Sequence, residues 1–256
     1  MNILLIGCGN MGSALAKGWL PNGHTVSAVE PNAVPFGVVH HKSLNDIPHN
    51  EQFDVIVLAV KPQQLDSALP DIKARFGTAP TYLTIAAGKK IAYYQQHLCS
   101  DARIVRAMPN TPAMVEAGMT ALFATPNVTN KEDIGALMDT VGSTAWLLSE
   151  DQMDAVTAIS GSGPAYFFTF MAAMVEAGIK QGLTAEAATH LVLQTAVGAS
   201  ILAAQSEVGL AELAKQVTSK GGTTEAALNI FNANNALATL VSDAVDAAAK
   251  RSRELA

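Results

Sequence analysis

Residues Gly7-Cys8-Gly9-Asn10-Met11-Gly12 stand directly behind an apolar, β-branched run, Ile3-Leu4-Leu5-Ile6, and directly before a helically spaced stretch, Ser13 to Leu20. Few strings restrict a fold as much. In a strand, glycine turn and helix arranged this way, the first glycine permits the tight turn and the second lets the backbone approach a pyrophosphate. The third allows close packing of helix on strand, with the phosphates at the helix N-terminus. The chain is therefore expected to open with a βαβ unit that binds a dinucleotide.

The alternation continues through the first half, with runs at Thr25 to Val29, Val55 to Val60, Tyr82 to Ala86 and Ile104 to Ala107. Amphipathic stretches separate them. This pattern reads as an α/β fold with a parallel, doubly wound sheet. Two later runs, Thr120 to Ala124 and Thr144 to Leu148, flank a helical stretch from Lys131 to Val141 and extend the sheet. After Ser149-Glu150-Asp151, Ala-rich segments with helical spacing take over. Residues 1–150 are expected to form a Rossmann-type dinucleotide-binding domain, and residues 151–256 an all-α substrate and dimerisation domain. In the second, Pro164 suits the first turn of a helix ending near Gly182, and Thr184 suits the N-cap of a helix reaching about Ala204. A short helix from Leu210 to Val217 and two more, split near Asn234-Asn235, complete it.

A length of 256 residues accommodates two such domains. The net charge of −6, without a basic block, lacks the footprint of a nucleic-acid binder and argues against anionic membranes. The first residues have neither the basic region nor the length of a secretory signal. Cys8 and Cys99 form no metal-ligand spacing and no disulfide framework, so a cytoplasmic location is expected. The six histidines, His40-His41 among them, show no metal spacing and are expected on the surface or in loops. The apolar stretch Ala165 to Val175 is about half the roughly 20 residues that cross a bilayer and reads as a buried helix.

Several residues are candidates for a site. Glu30, at the end of the second strand, suits the ribose hydroxyls and favours NAD. A 2′-phosphate calls for Arg or Lys, yet Pro31, Asn32 and Ala33 follow and the next cation is Lys42. Backbone N–H groups and Asn32 are the alternative receivers of a phosphate. Lys61, at the carboxyl edge of the third strand, is equally a solvated strand-end charge or a cofactor contact. Asn110 and Thr111 either face a nicotinamide or form an Asn-Thr-Pro turn. Near the far end, Val217-Thr218-Ser219-Lys220-Gly221-Gly222-Thr223-Thr224 precedes a helical run, Glu225 to Asn232. It reads either as a pocket for a small anion or as a Ser/Thr/Gly cap.

With G-C-G-N-M-G, L-A-V-K-P (Leu58 to Pro62), I-A-A-G (Ile85 to Gly88), R-A-M-P-N-T-P (Arg106 to Pro112), S-G-S-G-P-A-Y (Ser160 to Tyr166) and V-T-S-K-G-G-T-T-E-A-A-L (Val217 to Leu228), the chain resembles pyrroline-5-carboxylate reductase. These motifs run in the family's order and span nearly the whole length. The resemblance implies reduction of the cyclic imine 1-pyrroline-5-carboxylate to L-proline with NADPH or NADH, the last step of proline biosynthesis. It implies a homodimer or higher homo-oligomer. It puts Ile6, Gly7, Cys8, Gly9, Asn10, Met11, Gly12, Ala59, Val60, Lys61, Pro62, Ala86 and Ala87 on the cofactor, with Asn45 beside them. Substrate falls to Ser219, Gly221, Gly222, Thr223 and Thr224, while Lys220 stands where many relatives have Pro.

The chemistry agrees with that assignment. Reducing C=N needs a hydride on carbon and a proton on nitrogen, whereas oxidising an alcohol needs a base for the hydroxyl proton. A ring imine that binds already protonated requires no catalytic Lys or His. Thr224 is the candidate proton donor, with Ser219, Thr223 and the loop N–H groups on the carboxylate. Glu150 and Glu207 either balance an iminium charge or are solvated helix-end acids. A β-hydroxyacid dehydrogenase, the competing enzyme, carries a catalytic Lys and Asn where this chain has Phe167 and Met171, and its first lysine in that helix is Lys180. Phe167, Phe168, Phe170, Met171 and Met174 read as core or dimer contacts. A nucleotide-binding regulator without turnover is the non-enzymatic alternative, and it does not need the loop at 218–224.

Overall fold

The computed structural model describes residues 1–255, which form two compact units: Met1–Pro164 with the chain's end from Ala248 onward, and Ala165–Ala247. In the first unit, strands β1 (Asn2–Ile6), β2 (Thr25–Val29), β3 (Val39–His41), β4 (Val55–Leu58), β5 (Thr81–Thr84), β6 (Arg103–Met108), β7 (Gly118–Ala124) and β8 (Gly142–Trp146) make one sheet. Its order is β3-β2-β1-β4-β5-β6-β7-β8. Neighbours are parallel except β6 and β7, which run antiparallel.

Successive side chains of a strand point to opposite faces, so a sheet covered on both sides reads as continuous apolar runs. Ile3, Leu5, Val55 and Val57 pack on one face against Leu15, Trp19, Ile134 and Met138. Leu4, Ile6, Ile56 and Leu58 pack on the other against Leu65, Leu69, Ile72 and Tyr94. The covering helices are α1 (Asn10–Trp19), α2 (Pro62–Phe76), α3 (Ile91–His97) and α4 (Lys131–Asp139). The Trp19 indole donates to the Leu137 carbonyl at 3.0 Å, which satisfies its buried N–H. A short helix α5 (Met153–Val156) and a π-helical turn at Thr157–Gly161 follow the sheet.

Two features depart from the sequence reading. Helix α1 begins at Asn10 rather than Ser13, because Gly9 is its N-cap and the last residues of the glycine motif already form the first turn. Residues Val39–His41 form a strand, paired to β2 in the register Ala28↔His40, and His41 is 8% exposed rather than in a surface loop. The connection 30–38 between these parallel strands contains no helix, although such crossovers usually do.

The helices that follow are α6 (Gly163–Lys180), α7 (Ala185–Gln205), α8 (Leu210–Gln216), α9 (Thr223–Asn232) and α10 (Ala236–Glu254). The Thr184 hydroxyl accepts from Ala187 N–H at 3.2 Å and caps α7. Asn234 and Asn235, with φ of 53° and 57°, break the path between α9 and α10. The expectation of a buried helix at 165–175 is corrected: Phe167 and Phe168 are 69% and 62% exposed. The stretch is apolar nearly all round, and a single chain has too few neighbours to cover it. A groove lined by Tyr166, Phe167, Phe170, Leu237, Leu240 and Val241 lies along α6 and α10 within the second unit.

Candidate functional site

The strand order reverses its direction of growth at β1, whose neighbours are β2 and β4. Loops at the carboxyl ends of strands flanking such a switch point form the crevice where ligands bind in open α/β sheets. Here those loops are Gly7–Gly12 after β1 and Ala59–Pro62 after β4. Gly7 has φ of +91°, and a Cβ there would stand 3.0 Å from the Ala59 backbone. A Cβ on Gly12 would meet the Gly7 carbonyl at 2.9 Å. Both glycines are thus required by the turn itself. Gly9 differs, since a Cβ there would touch nothing within 4 Å. Its open side leaves room for a ligand against the backbone. No side chain caps α1, so its first N–H groups stay available to a phosphate. The residues present therefore fit a dinucleotide.

Glu30 is tied into this loop. Its Oε2 accepts from Cys8 N–H at 2.9 Å, and its Oε1 accepts from Asn32 N–H at 3.1 Å and Asn32 Nδ2 at 3.0 Å. Burial opposes ionisation of this carboxyl, but the bonds from Cys8 and Asn32, with the nearby His40, outweigh it and hold the group below its usual range. Burial pushes the Cys8 thiol the other way, up, so it stays neutral beside that carboxylate. The His40 ring lies 2.7 Å from the Glu30 carbonyl oxygen through Nε2. The periodicity of the sequence gave no signal for His40, because its strand is short and polar.

The remaining cofactor candidates are spread along the same edge. Ala59 N–H donates to Ile6 O at 2.9 Å, which locks the two loops together. Val60 is half-buried, Lys61 is exposed and is the N-cap of α2, and Pro62 fills that helix's first position. Ala86 is buried and Ala87 exposed, immediately after β5. Asn45 sits on an exposed 3-10 turn, Leu44–Asp46, and no hydrogen bond ties it to the glycine loop among the described residues. The Asn110 amide is engaged by protein: Nδ2 donates to Ser160 O and Oγ at 3.2 Å, and Oδ1 accepts from Met119 N–H at 2.8 Å.

Glu150 is not a free helix-end acid. Its Oε1 accepts from Arg106 at 2.6 Å and from Ile91 N–H at 2.7 Å, binding β6 to the start of α3. The two side chains are 10% and 21% exposed, so each screens the other's charge from an apolar setting. Arg106 is not among the candidates the sequence offers; its signal is a cation in the middle of the apolar run Ile104 to Ala107.

The second candidate site lies in the helical unit. Ser219 O accepts from Gly222 N–H at 3.0 Å, and Gly221 has φ of +73°, so the chain turns tightly into α9. A Cβ on Gly222 would fall 2.4 Å from Ser219 Oγ, which places that hydroxyl over the glycine. Gly222 is the N-cap, so α9 starts at Thr223 with no side chain capping it. Its first N–H groups face outward as anion donors. Glu225 reaches back to Gly221 N–H at 2.7 Å and holds the turn. Thr218 Oγ1 is taken up by Ala214 O at 2.6 Å. The hydroxyls of Ser219, Thr223 and Thr224 have no hydrogen-bond partner among the described residues.

Comparison with known proteins joins these observations. Residues 150–255 match the family model described as pyrroline-5-carboxylate reductase dimerisation, and residues 2–88 match the one described as NADP oxidoreductase coenzyme F420-dependent. A pyrroline-5-carboxylate reductase of Pseudomonas aeruginosa is 41% identical, with 99% of this chain and 96% of the relative covered. The solved structure of a pyrroline-5-carboxylate reductase from Coxiella burnetii superposes with a TM-score of 0.89 at 36% identity, covering 100% of this chain and 98% of that one. The Plasmodium falciparum pyrroline carboxylate reductase with NADP bound gives 0.88 at 30% identity, with the same coverage.

Proposed function

Because the chain belongs to the pyrroline-5-carboxylate reductase family, we propose that it reduces the ring imine of 1-pyrroline-5-carboxylate to L-proline with NADPH or NADH. The observation that carries this reading is the uncapped start of α9 behind the Ser219–Gly222 turn. It offers an anion several N–H donors and three unpartnered hydroxyls, a set that suits a small amino-acid carboxylate. When bound, the nicotinamide supplies the hydride. The chain's own residues bind, orient and protonate. The glycine loop and α1 hold the pyrophosphate through backbone N–H groups. Ser219, Thr223 and the N–H groups of α9 hold the substrate carboxylate, which fixes the ring's orientation. Thr224 donates a hydrogen bond or a proton at the ring nitrogen.

Glu150 enters this reading as scaffold. Its carboxylate is compensated by Arg106, so its contribution is to hold the end of β6 and the start of α3. Asn110 has the same standing through Ser160 and Met119. The exposed apolar faces of α6 and α10 fit a second copy of the chain, which makes the protein a homo-oligomer. The test is direct. Purified protein is expected to oxidise NADPH or NADH only when 1-pyrroline-5-carboxylate is present, with L-proline as product. Folded protein that turns over neither nucleotide with this imine refutes the reading.

A further inference from the structure

In a Rossmann-type sheet, an acid at the end of the second strand meets the 2′-hydroxyl of the adenosine ribose, whereas a 2′-phosphate calls for a guanidinium or ammonium there. Glu30 occupies that end of β2. Its carboxylate is fixed from two sides, by the Cys8 N–H and by Asn32, so it cannot swing away from an incoming phosphate without releasing the glycine loop. The connection 30–38 holds neither Arg nor Lys and forms no helix. The charged and titratable groups around it are few. From β3, His40 directs Nε2 at the Glu30 carbonyl oxygen, which engages that nitrogen with main chain. His41 is buried, Lys42 is exposed beyond the strand, and Asp46 accepts from Ser43 N–H. From the glycine loop, the Cys8 thiol is neutral.

Resting on the nicotinamide cofactor of the reading above, we infer that Glu30 makes this chain select NADH over NADPH, by repelling a 2′-phosphate from the ribose position. The selecting carboxylate is the one that fastens the glycine loop through Cys8. Choice of nucleotide and shape of the loop therefore depend on a single group.

The test is nucleotide binding without imine, followed by calorimetry near neutral pH on the full chain. Wild type is expected to bind NADH at least about tenfold more tightly than NADPH, the order expected for like charges a few ångströms apart at a partly exposed site. The ratio should shrink at high salt, since exposed charges are screened. Glu30→Gln keeps an acceptor for Cys8 N–H and loses the charge, so it is expected to bring the ratio close to one, chiefly by tightening NADPH. Glu30→Asp should retain the preference. Equal or tighter binding of NADPH by wild type overturns the inference, as does an unchanged ratio in folded Glu30→Gln. If that variant does not fold, the salt series on wild type decides: a preference insensitive to salt overturns it. Binding of neither nucleotide refutes the cofactor reading as well. A tenfold preference without turnover of the imine supports the inference and refutes the proposed reaction alone.

Discussion

Thr224 is the second residue of α9, half-buried, with an unpartnered hydroxyl in the first turn of the helix. A hydroxyl there can reach a ligand that the neighbouring N–H groups hold. Thr224→Ala is expected to lower kcat/KM about a hundredfold, as loss of a positioned proton donor does, with nucleotide Kd unchanged. Thr224→Ser should keep most of the activity. Full activity in the alanine variant would assign the proton to another donor. Glu30 supports a prediction of its own at this scale. Its carboxyl titrates below its ordinary 4.5 in the folded chain, so the unfolded chain binds that proton more readily. The stabilisation it gives is complete above that ordinary value and is lost as pH falls through the folded one. Acid unfolding followed by circular dichroism should show a shallower loss of stability in Glu30→Gln than in wild type. Identical acid limbs would remove this group from the account.

Strand β6 and helix α3 are both tied to Glu150, by the Arg106 ion pair and by the Ile91 N–H, and the burial of that pair makes it sensitive to the loss of a partner. Glu150→Ala leaves the Arg106 guanidinium, in a residue 9% exposed, without a counter-charge. The expected cost is about 3 kcal/mol in urea denaturation, and Arg106→Met with Glu150→Leu should recover much of it. A single variant that loses less than about 1 kcal/mol would mean that solvent reaches the guanidinium. What the sequence discloses at this scale depends on how local the signal is. The glycine turn, β1 and the capped α7 are legible because each is set by residues within a few positions of one another. β3 is not, because Val39-His40-His41 has no alternating pattern and its register comes from β2. The Glu150 pairing is equally hidden, since Arg106 lies 44 positions away. The loop before α9 is legible as glycines and hydroxyls, yet the start of the helix at Thr223, rather than at Glu225, depends on Gly222 taking the N-cap.

At the scale of the whole molecule, the exposed apolar side chains decide the expected assembly. Phe167, Leu240 and Val241 are 69%, 69% and 51% exposed, which a lone soluble chain rarely leaves in one groove. Sedimentation is expected to show a homo-oligomer, and Phe167→Asp with Leu240→Asp should shift it toward single chains. A wild type that sediments as one chain at micromolar concentration would overturn that assembly. The last helix carries a different consequence. Residues from Ala248 onward belong to the sheet-bearing unit, and Ser252, only 6% exposed, donates to Asp154 Oδ1 at 2.6 Å. The helical unit is therefore an insertion in the sheet-bearing one. During synthesis, all eight strands leave the ribosome long before the segment that completes their own unit. A nascent chain arrested before residue 248 has its whole sheet and still lacks the Ser252 hydroxyl that donates to Asp154, so that contact within the sheet-bearing unit forms only after the helical unit has been made.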